Sequence, residues 1–253
     1  MRVPDPGKVM PERRGPERAG TRTGTVTSGA ATRQNRQIAR NRRAKGEQTR
    51  LKILDAVLRV IAREGTRGVT HRAVATEAGV PASLTTYYFS DIEAMIREAF
   101  THFSEHSRPG VESLWTGVFE YLDGFSAAEL RRKAVRERIC RELAKRATDY
   151  IVSQIQTKPV GLAVEQVFFT HARLSPELRR MGEQHRAQLL QPLTALCERF
   201  NRDDPQTDAE LLLNTVTTLE YQALATSSKQ VDRKRLLRLL RRHLGWVMGL
   251  QRA

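Results

Sequence analysis

The sequence predicts an all-α fold in two parts: a three-helix head of helix-turn-helix type and a larger helical domain behind it. Three observations carry this. From position 47 onward, apolar residues recur at three- and four-residue steps, the period of one helix face. No segment alternates apolar and polar residues as a half-buried strand would, and no internal repeat competes. Helix-starting and helix-stopping residues punctuate the periodic stretches at short intervals. With 253 residues and 40% hydrophobic content, the chain is long enough for one large core or two smaller ones.

The elements follow in order. Residues 1–46 are rich in Pro, Gly, Thr and Arg, and their isolated aliphatics, Val3, Val9, Val26 and Ile38, cannot build a core. They read as a disordered basic arm. Two explanations stand open: a solvated tail or a start placed too early, and phosphate or minor-groove contact by Arg33, Arg36, Arg40, Arg42, Arg43 and Lys45. Leu51, Leu54, Leu58 and Ile61 then form one apolar stripe on a helix that stops at Gly65. Thr70 is placed to cap a short second helix over 71–78. Gly79 turns the chain in left-handed backbone space, Val80 plugs the angle between helices, and Pro81 opens the third helix. Ser90 and Glu93 form a capping box for a fourth helix that ends near Arg108-Pro109-Gly110. Further helices are expected near 111–123, 127–156, 159–174, 176–200, 207–227 and 232–250.

The junction of the second and third helices carries the functional reading. A helix-turn-helix sets a short helix in the DNA major groove while a first helix braces it, so the junction needs small and apolar residues. Val74, Ala75, Ala78, Gly79 and Val80 supply them. The helix over 82–88 offers Ser83, Thr85, Thr86, Tyr87 and Tyr88, whose hydroxyls suit phosphates and base edges. An ordinary helical hairpin would use the same small residues. Net charge does not decide the matter: the formal +15 lies in 1–46, with 12 Lys/Arg against 3 Asp/Glu, and in 106–253, with 24 against 17, whereas 47–105 holds 7 against 8.

The segment VTHRAVATEAGVPASLTTYYFSDIEAMIREAF resembles the DNA-binding domain of TetR-family repressors, with a capping threonine, an alanine, a Gly-Val turn, an aromatic pair, a phenylalanine and an acidic capped helix after it. The resemblance covers about 47–103. It implies a homodimer whose two heads read the half-sites of a palindromic operator in double-stranded DNA, and a C-terminal domain whose small-molecule effector releases the DNA. It also implies DNA contact by Thr70, Thr86, Tyr87 and Tyr88, the tyrosines chiefly on phosphates, with Phe89 in the core. Two positions depart from the pattern: Thr85 stands where leucine is common, and Ile92 where a lysine is frequent. The expected domains are therefore 1–46, a DNA-binding head at 47–106, and an effector-binding and dimerisation domain at 107–253.

In that last domain, Leu211, Leu212, Val216, Leu219 and Leu224 on 207–227, and Leu236, Leu240, Leu244 and Val247 on 232–250, suit a dimeric four-helix seam. The alternative is that they close the monomer's own core. Arg233, Lys234, Arg235, Arg238, Arg241 and Arg242 read as a solvated face rather than a membrane-bound one. Trp115, Phe119, Tyr150, Phe168, Phe169, His171 and Tyr221 are candidates for an effector pocket, suited to an apolar molecule with one or two polar atoms. The string His102-Phe103-Ser104-Glu105-His106 fits an H-x-x-E-H zinc arrangement, the one hint of a metal-dependent enzyme or metal sensor. No third ligand stands out and the histidines are expected at a helix end, so the reading is no enzyme, no metal and no cofactor. Cys140 and Cys197 are far apart and read as structural thiols. No apolar run is long enough for a membrane span or a signal peptide, so the expected location is the cytoplasm.

Overall fold

The computed structural model describes residues 27–170, 174–225 and 231–250, with the side chains of 27–33 and of position 35 outside that description. The chain forms two units, 1–47 and 48–253. Helix α1 is Thr27–Glu64, and its residues up to Glu47 are the described part of the first unit. That stretch was expected to be disordered from 27 to 46. It is helical instead because Ala, Arg and Gln dominate it, residues that lose little side-chain freedom in a helix and need no apolar stripe to adopt one. Arg36, Arg40, Arg42 and Arg43 are exposed along it, and Gln37 Nε2 donates to Asn41 Oδ1 one turn on (3.2 Å).

In the second unit, Gln48–Glu64 of α1 is followed by α2 (His71–Ala78), α3 (Ala82–Tyr88) and α4 (Ile92–Asp123). After a 3-10 turn at Glu129–Arg131 come α5 (Lys133–Thr157), α6 (Pro159–Thr170), α7 (Pro176–Glu198), α8 (Pro205–Leu224) and α9 (Arg233–Val247). All described elements are helical. The starts of α7, α8 and α9 are written in the sequence: Ser175, Asp204 and Asp232 each accept a backbone N–H three residues on, from Leu178, Thr207 and Arg235. Pro176 and Pro205 occupy first-turn positions, where no backbone donor is missed.

Both boundaries of α4 differ from the sequence reading. Helix α4 is capped by Asp91, whose carboxylate accepts the Ala94 N–H at 2.7 Å, while Ser90 Oγ donates to that same carboxylate. An ionised acceptor at a helix start binds more strongly than a hydroxyl, and the Ala94 N–H holds the Asp91 carboxyl below the usual carboxylate range. The second difference is that α4 does not end at Pro109 but runs 32 residues through it. Proline in a helix interior removes one hydrogen bond and crowds the preceding turn, costing about 3 kcal/mol. Here both sides of the proline are held: Met95, Ile96, Ala99 and Phe100 are buried before it, Val118 and Leu122 after it, and Pro109 itself is exposed.

Those two stretches of α4 belong to two cores. The first gathers Ile53, Leu54, Val57 and Ile61 of α1, Val74, Phe89 and Met95, and draws Phe168 and Leu178 from α6 and α7. Phe168 stacks on Phe100 with ring centroids 3.7 Å apart. The second core joins Val118 and Leu122 to Ile139, Leu143, Leu196, Leu212, Leu240 and Leu244. The boundary expected at 106/107 therefore falls inside a continuous helix that serves both cores.

The residues assigned to a dimer seam divide. Leu212, Leu219, Leu236, Leu240, Leu244 and Val247 are buried within the protomer, closing its own core. Of the seam residues Leu211 is exposed, together with Leu237 and Trp246, which were not assigned to it. Both thiols are buried: Cys140 Sγ donates to Arg241 O at 3.3 Å, and burial pushes the Cys197 thiol up to about 12. Among the described residues, no helix is long and apolar enough to cross a membrane.

Candidate nucleic-acid interface and ligand cavity

The head's junction is built from two local hydrogen bonds and one left-handed glycine. Thr70 Oγ1 accepts the Ala73 N–H at 3.0 Å and starts α2. Gly79 ends it at φ 60°, ψ 45°, in the left-handed region, and the Val80 N–H closes the turn on Ala75 O at 3.0 Å. Val74, Ala75 and Ala78 are buried beneath. Glu77 of α2 is tied to α1 by Arg59 (2.6 Å) and Arg63 (3.0 Å), and the Arg59 bond above all holds its carboxyl below the usual range. Arg50 and Glu98 pair between α1 and α4.

On this base α3 presents one face outward. Ser83, Thr86 and Tyr87 are exposed, Tyr87 by 77%, and Tyr88 is half-buried, meeting Tyr87 edge-on at 5.0 Å. Thr70 is exposed at the start of α2. Thr85 was expected on this face and is not. It is fully buried, its hydroxyl donates to Ala82 O at 2.8 Å, and His71 Nδ1 lies 3.0 Å from the same oxygen. Thr85 thus takes the inward place where an aliphatic side chain would sit, and Leu84 beside it is half-buried. Phe89 is buried, with the Arg50 guanidinium 5.8 Å from its ring centroid.

Beyond the head, a cavity of about 630 Å³ opens between α1, α4, α5, α6, α7, α8 and α9, within the size range of small-molecule sites. Of the residues named for an effector pocket, Trp115 and Tyr150 line it. Phe119 packs on Trp115 (5.8 Å) off the cavity wall, Phe168 belongs to the head core, and Phe169 lies against that core beside Arg186. Tyr221 stands one layer back, donating to Glu165 Oε1 at 3.2 Å. His171 lies outside the described residues.

The polar part of the wall was not anticipated. Glu165, His185, Thr217 and Glu220 are buried on it. His185 Nε2 sits 3.2 Å from Glu165 Oε2, and its Nδ1 3.3 Å from Ser104 Oγ on α4. Glu220 is pushed well above the usual carboxylate range, first by burial and then by the Glu165 charge. Burial likewise raises the Tyr150 and Tyr221 phenols. These residues sit on helical faces in patterns that look solvated in sequence, and only their convergence from α6, α7 and α8 marks them.

His102 and His106 also line the cavity, ring centroids 4.0 Å apart, in the middle of α4 rather than at a helix end. His102 Nε2 faces Asp55 Oδ1 at 3.3 Å, His106 Nδ1 donates to His102 O at 2.8 Å, and Glu105 is exposed. Among the described residues, no group of three or more His, Cys, Asp and Glu side chains converges as a metal-ligand set.

Residues 53–99 match the family model described as bacterial regulatory proteins, tetR family, and residues 138–245 match a tetracyclin repressor-like C-terminal domain. In structure the chain is similar to a transcriptional regulator from Rhodococcus sp. Rha1, with 20% identity over 79% of this chain and 96% of that one and a TM-score of 0.55. It is also similar to a protein described as a TetR-family transcriptional regulator from Mesorhizobium loti MAFF303099, with 15% identity over 81% and 97% of the two chains and a TM-score of 0.57. No curated protein sequence matches the chain.

Proposed function

The chain belongs to the TetR family of DNA-binding transcriptional regulators, and from that premise we propose that it is a repressor that grips a palindromic operator as a homodimer and lets go when a small molecule fills its cavity. The observation that carries this reading is the span of α4. Its first turns pack Met95, Ile96 and Phe100 into the core under the recognition helix, and further along the same helix His102, Phe103, His106 and Trp115 line the cavity.

A ligand that moves those side chains acts on the helix that seats the head. Two heads fit one DNA face only when their recognition helices are about 34–36 Å apart or a multiple of it, so a ligand favouring another head spacing lowers affinity without touching DNA. Exposed Leu211, Leu237 and Trp246 on α8 and α9 are the apolar surface offered to the second copy. Exposed Arg36, Arg40, Arg42 and Arg43 supply the positive charge that the near-neutral head lacks.

The test is a mobility-shift titration of the full chain on its own promoter fragment, with and without a cavity ligand found by thermal shift. The reading requires a dimer bound without ligand and release at saturation. Ligand binding with unchanged DNA affinity contradicts it, and so does sedimentation as a monomer at micromolar concentration.

A further inference from the structure

We propose that the cavity's ligand is a lipophilic organic cation, held with its charge against the carboxylate of Glu220; this rests on the ligand-responsive reading above and names the class of molecule it requires. Glu220 is 4% exposed and stands on the cavity wall. Its carboxyl neighbour is served: Glu165 receives the Tyr221 hydroxyl on one oxygen and faces His185 on the other. Among the described residues, none donates a hydrogen bond to the Glu220 carboxyl. Since no fully buried side-chain oxygen or nitrogen among the described residues lacks a partner, the Glu220 oxygens open onto the cavity, where a bound group can complete them.

The surroundings select the sign of that missing group. The charge that acts on Glu220 is that of another carboxylate, Glu165. Arg146, the cavity's half-buried cation, is directed elsewhere, to Glu142 Oε1 at 2.7 Å and Gly117 O at 2.8 Å. Lys158 is exposed. Phe103, Trp115 and Tyr150 put aromatic rings on the wall, which suit the apolar body of a ligand and the charge of a cation. A bound anion would meet two carboxyls and gain neither benefit.

Burial first, and the Glu165 charge after it, favour the protonated form of the Glu220 carboxyl. A cation entering beside it favours the ionised form, so the carboxyl proton passes to solvent as the ligand's charge takes its place. Net charge in the cavity is unchanged by the exchange. The titratable groups that face Glu220 are Glu165 from α6, Tyr150 from α5, Tyr221 on its own helix, and, behind Glu165, His185 from α7.

The experiment is calorimetric titration of the full chain with three probes that share one apolar body: phenylbutyl-trimethylammonium, phenylbutanol and phenylbutyrate. The expected result is a cation that binds at least about tenfold tighter than the alcohol, with phenylbutyrate weakest and about one proton released per cation, read from the dependence of heat on buffer ionisation enthalpy. Glu220→Gln should erase the cation's preference and the proton release while phenylbutanol still binds, which reports an intact cavity. Equal or tighter binding of the alcohol or the carboxylate overturns the proposal. So does absence of cation binding, absence of proton release from the unmodified chain, or a preference that survives Glu220→Gln. Promoter release is measured alongside. A cation that binds as expected but leaves DNA affinity unchanged defeats ligand-responsive regulation and spares the ligand class, whereas release by phenylbutyrate alone does the reverse.

Discussion

His71 Nδ1 lies 3.0 Å from the Oγ1 of Thr85, joining the first turn of α2 to the buried side of the recognition helix. Because the Thr85 hydroxyl proton is already given to Ala82 O, the imidazole N–H is the donor and Thr85 the acceptor. This pair orients α3 on α2 by polar contact where an aliphatic side chain would do so by packing. Thr85→Val keeps the shape and strands the His71 donor, so unfolding stability should fall by about 1–2 kcal/mol. Chemical denaturation checks it, and a loss below the error of that measurement would mean that the pair positions nothing.

Tyr87 behaves oppositely, since almost nothing in the fold depends on it. Tyr87→Ala should leave the unfolding midpoint unchanged while lowering operator affinity about tenfold, the scale of a lost phosphate hydrogen bond with its ring contact. Tyr87→Phe, which removes only the hydroxyl, should lose less. Equilibrium binding on one DNA fragment under fixed salt separates the three proteins.

At Gly79 the constraint is the backbone, not space. A side chain there would meet only Lys52 Nζ at 3.9 Å, yet φ is +60°. Gly79→Ala should therefore destabilise the head by about 1 kcal/mol and Gly79→Asn by less, because asparagine tolerates the left-handed region better. Thermal melts of both variants give the order, and equal losses would point to crowding instead.

Glu220 makes stability depend on pH in a definite direction. Its folded carboxyl holds a proton to higher pH than the unfolded one, so above the unfolded value near 4.3 the folded state binds more protons and stability declines as pH rises. Glu220→Gln removes that decline. Its melting temperature should match the parent near or below about pH 4 and exceed it as pH rises above that, in buffers matched for ionic strength. Parallel curves would show that Glu220 ionises as freely folded as unfolded.

Much of this fold could be read in the sequence, and the exceptions have physical reasons. Thr70 and Gly79 announce helix ends through bonds within four residues, which a sequence displays directly. Pro109 misled because a local breaker was outweighed by two cores gripping α4 on either side of it. Residues 27–46 misled in the other direction, since helix propensity without an apolar stripe reads as a tail. Thr85 was read by its hydroxyl, but helix phase turned it inward while Thr86 and Tyr87 stayed out. The cavity was half legible: Trp115 and Tyr150 drew notice as aromatics, whereas Glu165, His185 and Glu220 look solvated until three helices bring them to one wall.

The proposed function requires that the 82–88 helix read DNA as one half of a symmetric pair. Selection of bound sequences from a random duplex pool by the full chain tests this most directly. The expected result is an enriched palindrome whose half-site centres lie about one helical turn, or a whole multiple of turns, apart, and loss of that enrichment in Tyr87→Ala. A single unrepeated motif, or no enrichment above non-specific binding, would contradict it.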